Sequence, residues 1–513
     1  MVSLSASTQT SASSSSPPAF YYAKTRQALC EALPMHFRSY QGGVYTSDGR
    51  LRGLLLDTHD SLDPAGLGDG QSLVTHLGSF EGDAATETVD TNLGQSRLEA
   101  ARLAADEGDR VLVIIGRLQP FAPVSSVSFP SGKRPRYLVL GFYNVQDVHL
   151  LPALPQTPFG PVNSTSVSTA KIAITLSWCA DQGLPYWLPA ISPHNVPASS
   201  SSAPTLIRPL LFSEASTKRF HYSRDTARGT ACDRCGQLAL ELHWGIFACD
   251  SCDYAVSQRL IPWFPKLVRE VNLQPKPPPR SLAPTVRRIG GYEITTWNLD
   301  RSNRIVRLRP LKSTEFEDDL FCDLQLPEAA HQLVRGKMRR CRVPAMATSH
   351  YACNIGATYD YGVEIPTFPL PSLDSDGDAP DSSLPSLASL ARRHVESVIH
   401  RVLKRKVRFN EVLTIGYRAG TRISAHQDAE RGVKDFIASL SLGGSAVLTF
   451  EESGKPDDMD DKTNKRIKFG VELRHADILV MQGTRIQHEW KHGLESDTLR
   501  FVQTFRDIEP RAS

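Results

Sequence analysis

The residues with most chemistry to offer lie between Leu413 and Arg506. Tyr417 comes first, then the triplet His426-Gln427-Asp428, then Trp490-Lys491-His492, and last the run RFVQTFR from Arg500 to Arg506. Two imidazoles and one carboxylate in that order form the facial ligand set of a non-haem iron(II) ion, which leaves the opposite positions open. Arg500 and Arg506 give such a site a way to hold a dicarboxylate, because a guanidinium stays charged and pairs a carboxylate through two parallel hydrogen bonds. His426 and Asp428 are two apart, and on a strand such residues share a face, so both can enter one cavity. His492 follows a strand and a turn, and a neighbouring strand can bring it across. His488 is its competitor as third ligand. An HxD pair alone is unspecific. Followed by a histidine and then an arginine in a strand-rich segment, it becomes informative.

A second cluster lies upstream. Cys232, Cys235, Cys249 and Cys252 form the pattern C-x2-C-x13-C-x2-C. A two-residue gap lets both thiolates of a turn face one ion, and two such turns joined by a hairpin complete a tetrahedral zinc site. Four sulfur ligands leave no open position, so the expected role of this zinc is structural. The intervening LALELHWGIFA alternates as the strands of a ribbon would. Arg234 and Trp244 are candidate surface contacts, or equally a solvated charge and a half-buried aromatic.

These two sites need elements to position them. From Glu411 onward the runs EVLTIGY, RISAHQD, FIASLSL, SAVLTFEE, RIKFGVELR, DILVMQG and LRFVQTFR read as strands, which implies an antiparallel barrel or sandwich. A charged insert from Glu452 to Lys465 reads as a hairpin loop. Ser386 to Lys406 is the strongest helix: Leu387, Leu390, Ala391, Val395, Val398 and Val402 recur at helical spacing. Its basic end, with Lys406 and Arg408, is either a phosphate contact or a solvated face. Tyr292–Trp297 and Arg304–Leu308 read as strands, and 371–385 as an acidic loop. Further upstream, Val111–Ile115, Tyr137–Val145 and Thr169–Trp178 read as strands and Leu98–Ala105 as helix. The expected organisation is a disordered tail (1–19), an α+β or mostly β domain of unknown role (20–215), the four-cysteine zinc ribbon (216–260), a Pro-rich linker (261–285) and a mainly β C-terminal domain (286–513).

Composition narrows the class. The chain has 513 residues, 40% of them hydrophobic, enough for several folded cores. Its 58 basic and 55 acidic residues nearly cancel, so any nucleic-acid contact must come from local patches. No apolar run approaches the roughly 20 residues that span a bilayer, and the Ser/Thr-rich start is unlike a secretory leader. The expectation is a protein of the cell interior with reduced thiols and no membrane partner.

Residues 286–513 resemble the AlkB-type family of 2-oxoglutarate- and Fe(II)-dependent dioxygenases. The resemblance rests on GYRAG before the metal pair, HQDAE, ASLSLGGSAVLTF, HADILVMQGTRIQHEWKHGL and the terminal RFVQTFR. It implies a double-stranded β-helix (jelly-roll) core, with Fe(II), 2-oxoglutarate and molecular oxygen as reactants. By position, His426, Asp428 and His492 resemble the iron ligands and Arg500 the partner of the distal carboxylate. Arg506 resembles the arginine beside the chelating end, and Tyr417 the tyrosine that hydrogen-bonds the co-substrate. Glu430 falls where the family places a base-recognising carboxylate. Tyr359 and Tyr361 lie in a stretch that resembles the nucleotide-recognition loop, where aromatic rings would stack on a flipped base.

Two positions depart from the family pattern: Ile415 and Val502 stand where it carries asparagines, which removes two polar contacts to the co-substrate. The resemblance implies oxidative demethylation of nucleobases in DNA or RNA, and with it a repair role in the nucleus. Two other readings stay open: a dioxygenase acting on a protein side chain, and a non-catalytic module whose ribbon and N-terminal domain bind protein partners.

Overall fold

The computed structural model describes residues 18, 20–57, 71–83, 88–89, 92–117, 135–152, 169–183, 185–186, 228–252, 254–257, 264, 268, 273–312, 314–339, 346–358, 362–371, 382–453 and 467–509. The tail 1–17, the bulk of the acidic loop, the charged insert 454–466, much of the Pro-rich linker, and Tyr359 and Tyr361 lie outside the described residues. The chain forms two compact units. One comprises residues 1–219, 227–240 and 248–255, the other 220–226, 241–247 and 256–513. The segment expected to be a separate ribbon is thus shared between them.

In the first unit a mixed sheet runs in the order Val44–Ser47, Arg50–Leu56, Arg110–Gly116, Tyr137–Pro152, Tyr21–Ala23, Gln237–Leu240, Gly229–Ala231. Arg50–Leu56 and Arg110–Gly116 pair in parallel. The helix Asn92–Asp106 lies between them in sequence and buries Leu98, Ala101 and Ala104. The strand after the first cysteine pair joins this sheet directly, with Tyr22 opposite Gln237. The cysteine hairpin is therefore anchored on an N-terminal strand.

The second unit contains thirteen strands relevant to the site, named here in chain order. They are β1 (Thr285–Ile289), β2 (Tyr292–Asn298), β3 (Arg304–Pro310), β4 (Tyr351–Gly356), β5 (Thr367–Phe368), β6 (Glu411–Tyr417) and β7 (Thr421–His426). After these come β8 (Phe436–Gly443), β9 (Ala446–Glu452), β10 (Lys468–Leu473), β11 (Ile478–Gln482), β12 (Trp490–Ser496) and β13 (Arg500–Arg506). The larger sheet has the order β1-β2-β3-β11-β8-β13-β6-β4-β5 and the smaller β7-β12-β9-β10. From β6 to β13 the chain switches between the sheets at nearly every step, the pattern of a jelly roll. All seven expected strands form. The eighth, β12, escapes the sequence reading because WKHGLES carries charge on its outer face and looks too polar.

Alternation on each strand divides the apolar residues between two cores. Ile415, Tyr417, Ile437, Leu479, Met481, Phe450 and Leu494 meet between the sheets. Val412, Leu440, Val480, Phe501 and Phe505 face the other way. There they pack under helix α1 (Glu315–Asp323) and helix α2 (Leu384–Leu403). Helix α2 buries Leu387, Ala391, Val395, Val398 and Val402, each contributing about 1–3 kcal/mol on burial. It ends at Lys404, which turns left-handed at φ 55°.

Candidate active site

The site is built at one end of the inter-sheet core. β7 and β12 pair antiparallel, with Ile423 opposite Leu494 and His426 opposite His492. Between these rungs β7 uses one residue more than β12, and the resulting bulge at Ser424 and Ala425 re-aims His426. A Cβ at position 493 would sit 2.9 Å from the Ala425 nitrogen, so the bulge requires glycine opposite it. Strand pairing ends at His426. Asp428 is therefore not placed by strand alternation, as its spacing suggested, but by the loop that follows. Gln427 fastens that loop, donating to the His488 carbonyl and to Ser453 Oγ (3.2 Å).

His426, Asp428 and His492 converge. The Nε2 atoms of His492 and His426 lie 3.5 and 3.9 Å from the two Asp428 oxygens, and the imidazole centroids are 4.4 Å apart. One ligand atom from each lies within 4.8 Å of the others. Ligands bound at about 2.1 Å and at right angles would be about 3 Å apart, so a small closure suffices to hold an ion. His426 Nδ1–H donates to the Ser424 carbonyl (2.9 Å), which leaves Nε2 free to coordinate. His488 is exposed and lies outside this cluster. Trp490 is buried edge-on against Phe469, a packing residue.

The charges suit a cation. Burial alone would raise Asp428, but Arg506 Nη2 at 3.3 Å, with the two histidines, holds it down at about 2. Burial pushes His492 down to about 4, so it is a neutral donor at neutral pH. Glu430 is raised, by burial first and then by Asp428, and its Oε2 is buried with no hydrogen-bond partner.

The residues expected to serve the co-substrate line one face of the β6–β13 pair. The inward rungs are Tyr417 opposite Arg500, Ile415 opposite Val502, Leu413 opposite Thr504 and Glu411 opposite Arg506. Arg506 is anchored by Glu411 (3.4 Å) and Asp428. Arg500 is wholly buried and donates to the Gly444 carbonyl and to Ser441 Oγ, each at 2.7 Å. Among the described residues no carboxylate pairs with it, its Nε has no partner, and burial lowers it to about 10. A buried guanidinium whose hydrogen bonds all go to neutral oxygens is costly, and a carboxylate ligand would relieve that cost. The two departures, Ile415 and Val502, are cross-strand neighbours and form a single apolar rung.

One residue passed over in the sequence lies beside this face. His350 precedes β4, its ring is 5.9 Å from that of Tyr417, burial pushes it to about 4, and its Nδ1 has no partner. Only the β4–β6 register, which pairs Tyr351 with Gly416, reveals it.

The cysteines also converge. Cys232 and Cys252 sulfurs are 3.4 Å apart and those of Cys235 and Cys249 3.5 Å, all four lying within 4.8 Å. A tetrahedral zinc with bonds of about 2.3 Å would separate them by about 3.8 Å. The Tyr22 hydroxyl donates to Cys235 Sγ at 3.7 Å.

Residues 371–504 match the family model described as the 2OG-Fe(II) oxygenase superfamily. The chain carries a 2OG-Fe(II) oxygenase domain. This domain makes the chain a 2-oxoglutarate-dependent dioxygenase, with Fe(II) and 2-oxoglutarate as its cofactors, and the jelly roll is its core. The motifs from GYRAG to HEWKHGL lie inside the match. Among solved structures, a chain titled "The structure of OsALKBH1" aligns over 99% of its own length and 41% of this one. Its identity is 16% and its TM-score 0.25. No curated protein matches the chain. Among the described residues no helix is long and apolar enough to cross a membrane.

Proposed function

We propose that the dioxygenase removes alkyl groups from nucleobases of DNA or RNA by oxidation. His426, Asp428 and His492 hold the iron, while Tyr417, Arg500 and Arg506 serve the co-substrate. The observation that carries the substrate class is Glu430. It is a second carboxylate two residues beyond Asp428, with a buried oxygen left without a partner and a raised affinity for its proton. Such a group can exchange hydrogen bonds with the edge of a flipped base, as acceptor or, once protonated, as donor. Tyr359 and Tyr361 are the aromatic candidates for stacking.

Bound iron and 2-oxoglutarate would supply, with molecular oxygen, the power to hydroxylate a C–H bond: one oxygen atom enters the substrate and the other enters succinate as the co-substrate loses carbon dioxide. The protein's own residues do the positioning. Arg500 and Tyr417 fix one end of the co-substrate, Arg506 keeps Asp428 ionised and in place, and the apolar inter-sheet core excludes water. Hydroxylation of an N-alkyl carbon gives a hemiaminal, which collapses to the free base and an aldehyde. The zinc site anchors the hairpin between its cysteine pairs.

The test is succinate release by full-length protein with Fe(II) and 2-oxoglutarate, offered methylated DNA and RNA oligonucleotides beside methylated peptides. Stimulation by a modified oligonucleotide, lost at least tenfold in Glu430→Ala, is expected. Stimulation by peptides alone would move the enzyme to the protein-modifying class.

A further inference from the structure

Residues 241–247 lie far outside the matched stretch 371–504, in the chain between Cys235 and Cys249, yet they belong to the oxygenase unit. Glu241 is wholly buried. Its carboxylate meets the Arg418 guanidinium fork to fork, Nη1 donating to Oε2 at 2.5 Å and Nη2 to Oε1. Glu241 Oε1 also accepts from Gly245 N–H (2.6 Å), which shapes the turn. Trp244 is equally buried, with its ring 4.9 Å from that of Tyr351 and 5.3 Å from that of Phe501. The Arg418 guanidinium stacks 4.8 Å over the same indole. Backbone bonds from Trp244 N–H to the Leu333 carbonyl (3.0 Å) and from Arg335 N–H to the Leu242 carbonyl (2.8 Å) hold the segment in place.

This segment presses on the back of the co-substrate face. Tyr417 and Arg500 point inward, and their neighbours Gly416 and Phe501 point outward, opposite each other in the β6–β13 pair. A Cβ on Gly416 would come within 2.6 Å of the Trp244 ring, so position 416 is glycine to let the indole lie flat on the strand. Arg418 follows Tyr417 and opens the corner that leads to β7 and His426. Its carbonyl accepts from both Thr421 N–H (3.0 Å) and Thr421 Oγ1 (2.7 Å). The corner between the Tyr417 strand and the strand of His426 is thus closed on the Arg418 carbonyl, while the guanidinium of the same residue is tied to Glu241. An apolar pair of the same volume would pack here at no electrostatic cost. A bidentate ion pair fixes direction as well as distance.

We infer that Glu241 and Trp244 are positioning residues for 2-oxoglutarate, acting through Arg418 and Gly416 to aim Tyr417 and Arg500. The inference rests on Tyr417 and Arg500 as the co-substrate residues. Full-length Glu241→Gln should raise the KM for 2-oxoglutarate about tenfold with kcat within about twofold. It should weaken 2-oxoglutarate binding to the manganese-loaded protein, measured by calorimetry, by the same factor. The double variant Glu241→Gln with Arg418→Met, which leaves no unpaired charge, should regain thermal stability but keep the raised KM, because the directional contact is still missing; recovery of KM to the wild-type value would overturn the inference. Trp244→Phe, which keeps a ring on Gly416, should shift KM only about threefold and serves if Glu241→Gln does not fold. Unchanged KM and affinity in a folded Glu241→Gln or Trp244→Phe overturns the inference, as does a fall confined to kcat. Tyr417→Phe separates the two claims: if it leaves KM unchanged, the assignment of Tyr417 fails rather than the role of Glu241.

Discussion

The two ligand clusters solve opposite problems. The four cysteines come from two turns of one hairpin, and four sulfurs around a zinc ion would leave nothing open. The histidines and the aspartate come from a bulged strand, the loop beyond it and a strand some sixty residues later, and three such ligands would occupy one side of an iron ion only. A closed site can be local, because its task is to tie its own chain together. An open site needs walls, a second anion-binding group and a route for substrate, so it must draw on distant elements. Arg500 shows the cost of openness: a wholly buried guanidinium waits without a carboxylate, while the cysteines complete one another.

Removing one ligand from each cluster should separate the two roles most sharply. Asp428→Ala should lower Fe(II)-dependent succinate release at least a thousandfold while leaving the zinc content of the protein unchanged. Cys249→Ser should abolish zinc binding, measured by metal content, and destabilise the unit bearing the hairpin by several kcal/mol, since binding free energy there is folding free energy. If Cys249→Ser kept its zinc and its stability, the cysteines would not be a structural site and the contrast would collapse.

Arg500→Leu tests the cost of openness. It should raise the KM for 2-oxoglutarate about a hundredfold or more. It should also stabilise the ligand-free protein by about 1–3 kcal/mol, because a buried charge hydrogen-bonded only to neutral oxygens is replaced by an apolar side chain. Loss of both affinity and stability would mean that the Ser441 and Gly444 contacts, not the awaited carboxylate, account for Arg500.

The contrast also explains what could be read in advance. The cysteine pattern was legible because two short gaps and one hairpin are local. So were seven of the eight jelly-roll strands and helix α2, where apolar periodicity is strong. β12 was hidden by the charges of Lys491 and Glu495 on its solvent face, although Trp490, His492 and Leu494 alternate beneath them. Asp428 lies beyond the end of β7 and not on its face; a bulge and a strand end do not show in spacing. Trp244, expected at the surface or half-buried, is wholly buried, and like His350 and Glu241 it is placed beside Gly416 and Tyr417 by contacts across more than sixty positions, which no local pattern shows.

The open site should also respond to pH where the ion is absent. His492 falls from its usual value to about 4 and His350 likewise, each because burial disfavours the cation. The unfolded chain therefore binds more protons than the folded one between about pH 6.5 and pH 4, and stability must rise with pH across that window. Metal-free protein should lose stability steadily as pH falls from 6.5 to 4. His492→Leu should flatten that slope by about one proton, read from denaturant midpoints. Asp428 acts lower, losing its contribution as pH drops from about 4 towards 2. An unchanged slope in His492→Leu would place the titration elsewhere.

The smallest effect concerns the apolar rung. Ile415 and Val502 face each other in the middle of the co-substrate face, between the Tyr417–Arg500 rung and the Glu411–Arg506 end. Replacing either one by asparagine buries an amide beside an aliphatic neighbour and should cost about 1–3 kcal/mol. Replacing both lets the two amides bond across the rung, so the double variant should be less destabilised than the sum of the singles, with a coupling of about 1 kcal/mol. The same pair would offer the co-substrate polar contacts that the rung now lacks, and KM for 2-oxoglutarate should fall a few-fold in the double variant alone. Additive stability losses with unchanged KM would show that the rung is a packing feature. The loss of polar contacts would then have no bearing on co-substrate affinity, which would rest on Arg500 and Tyr417.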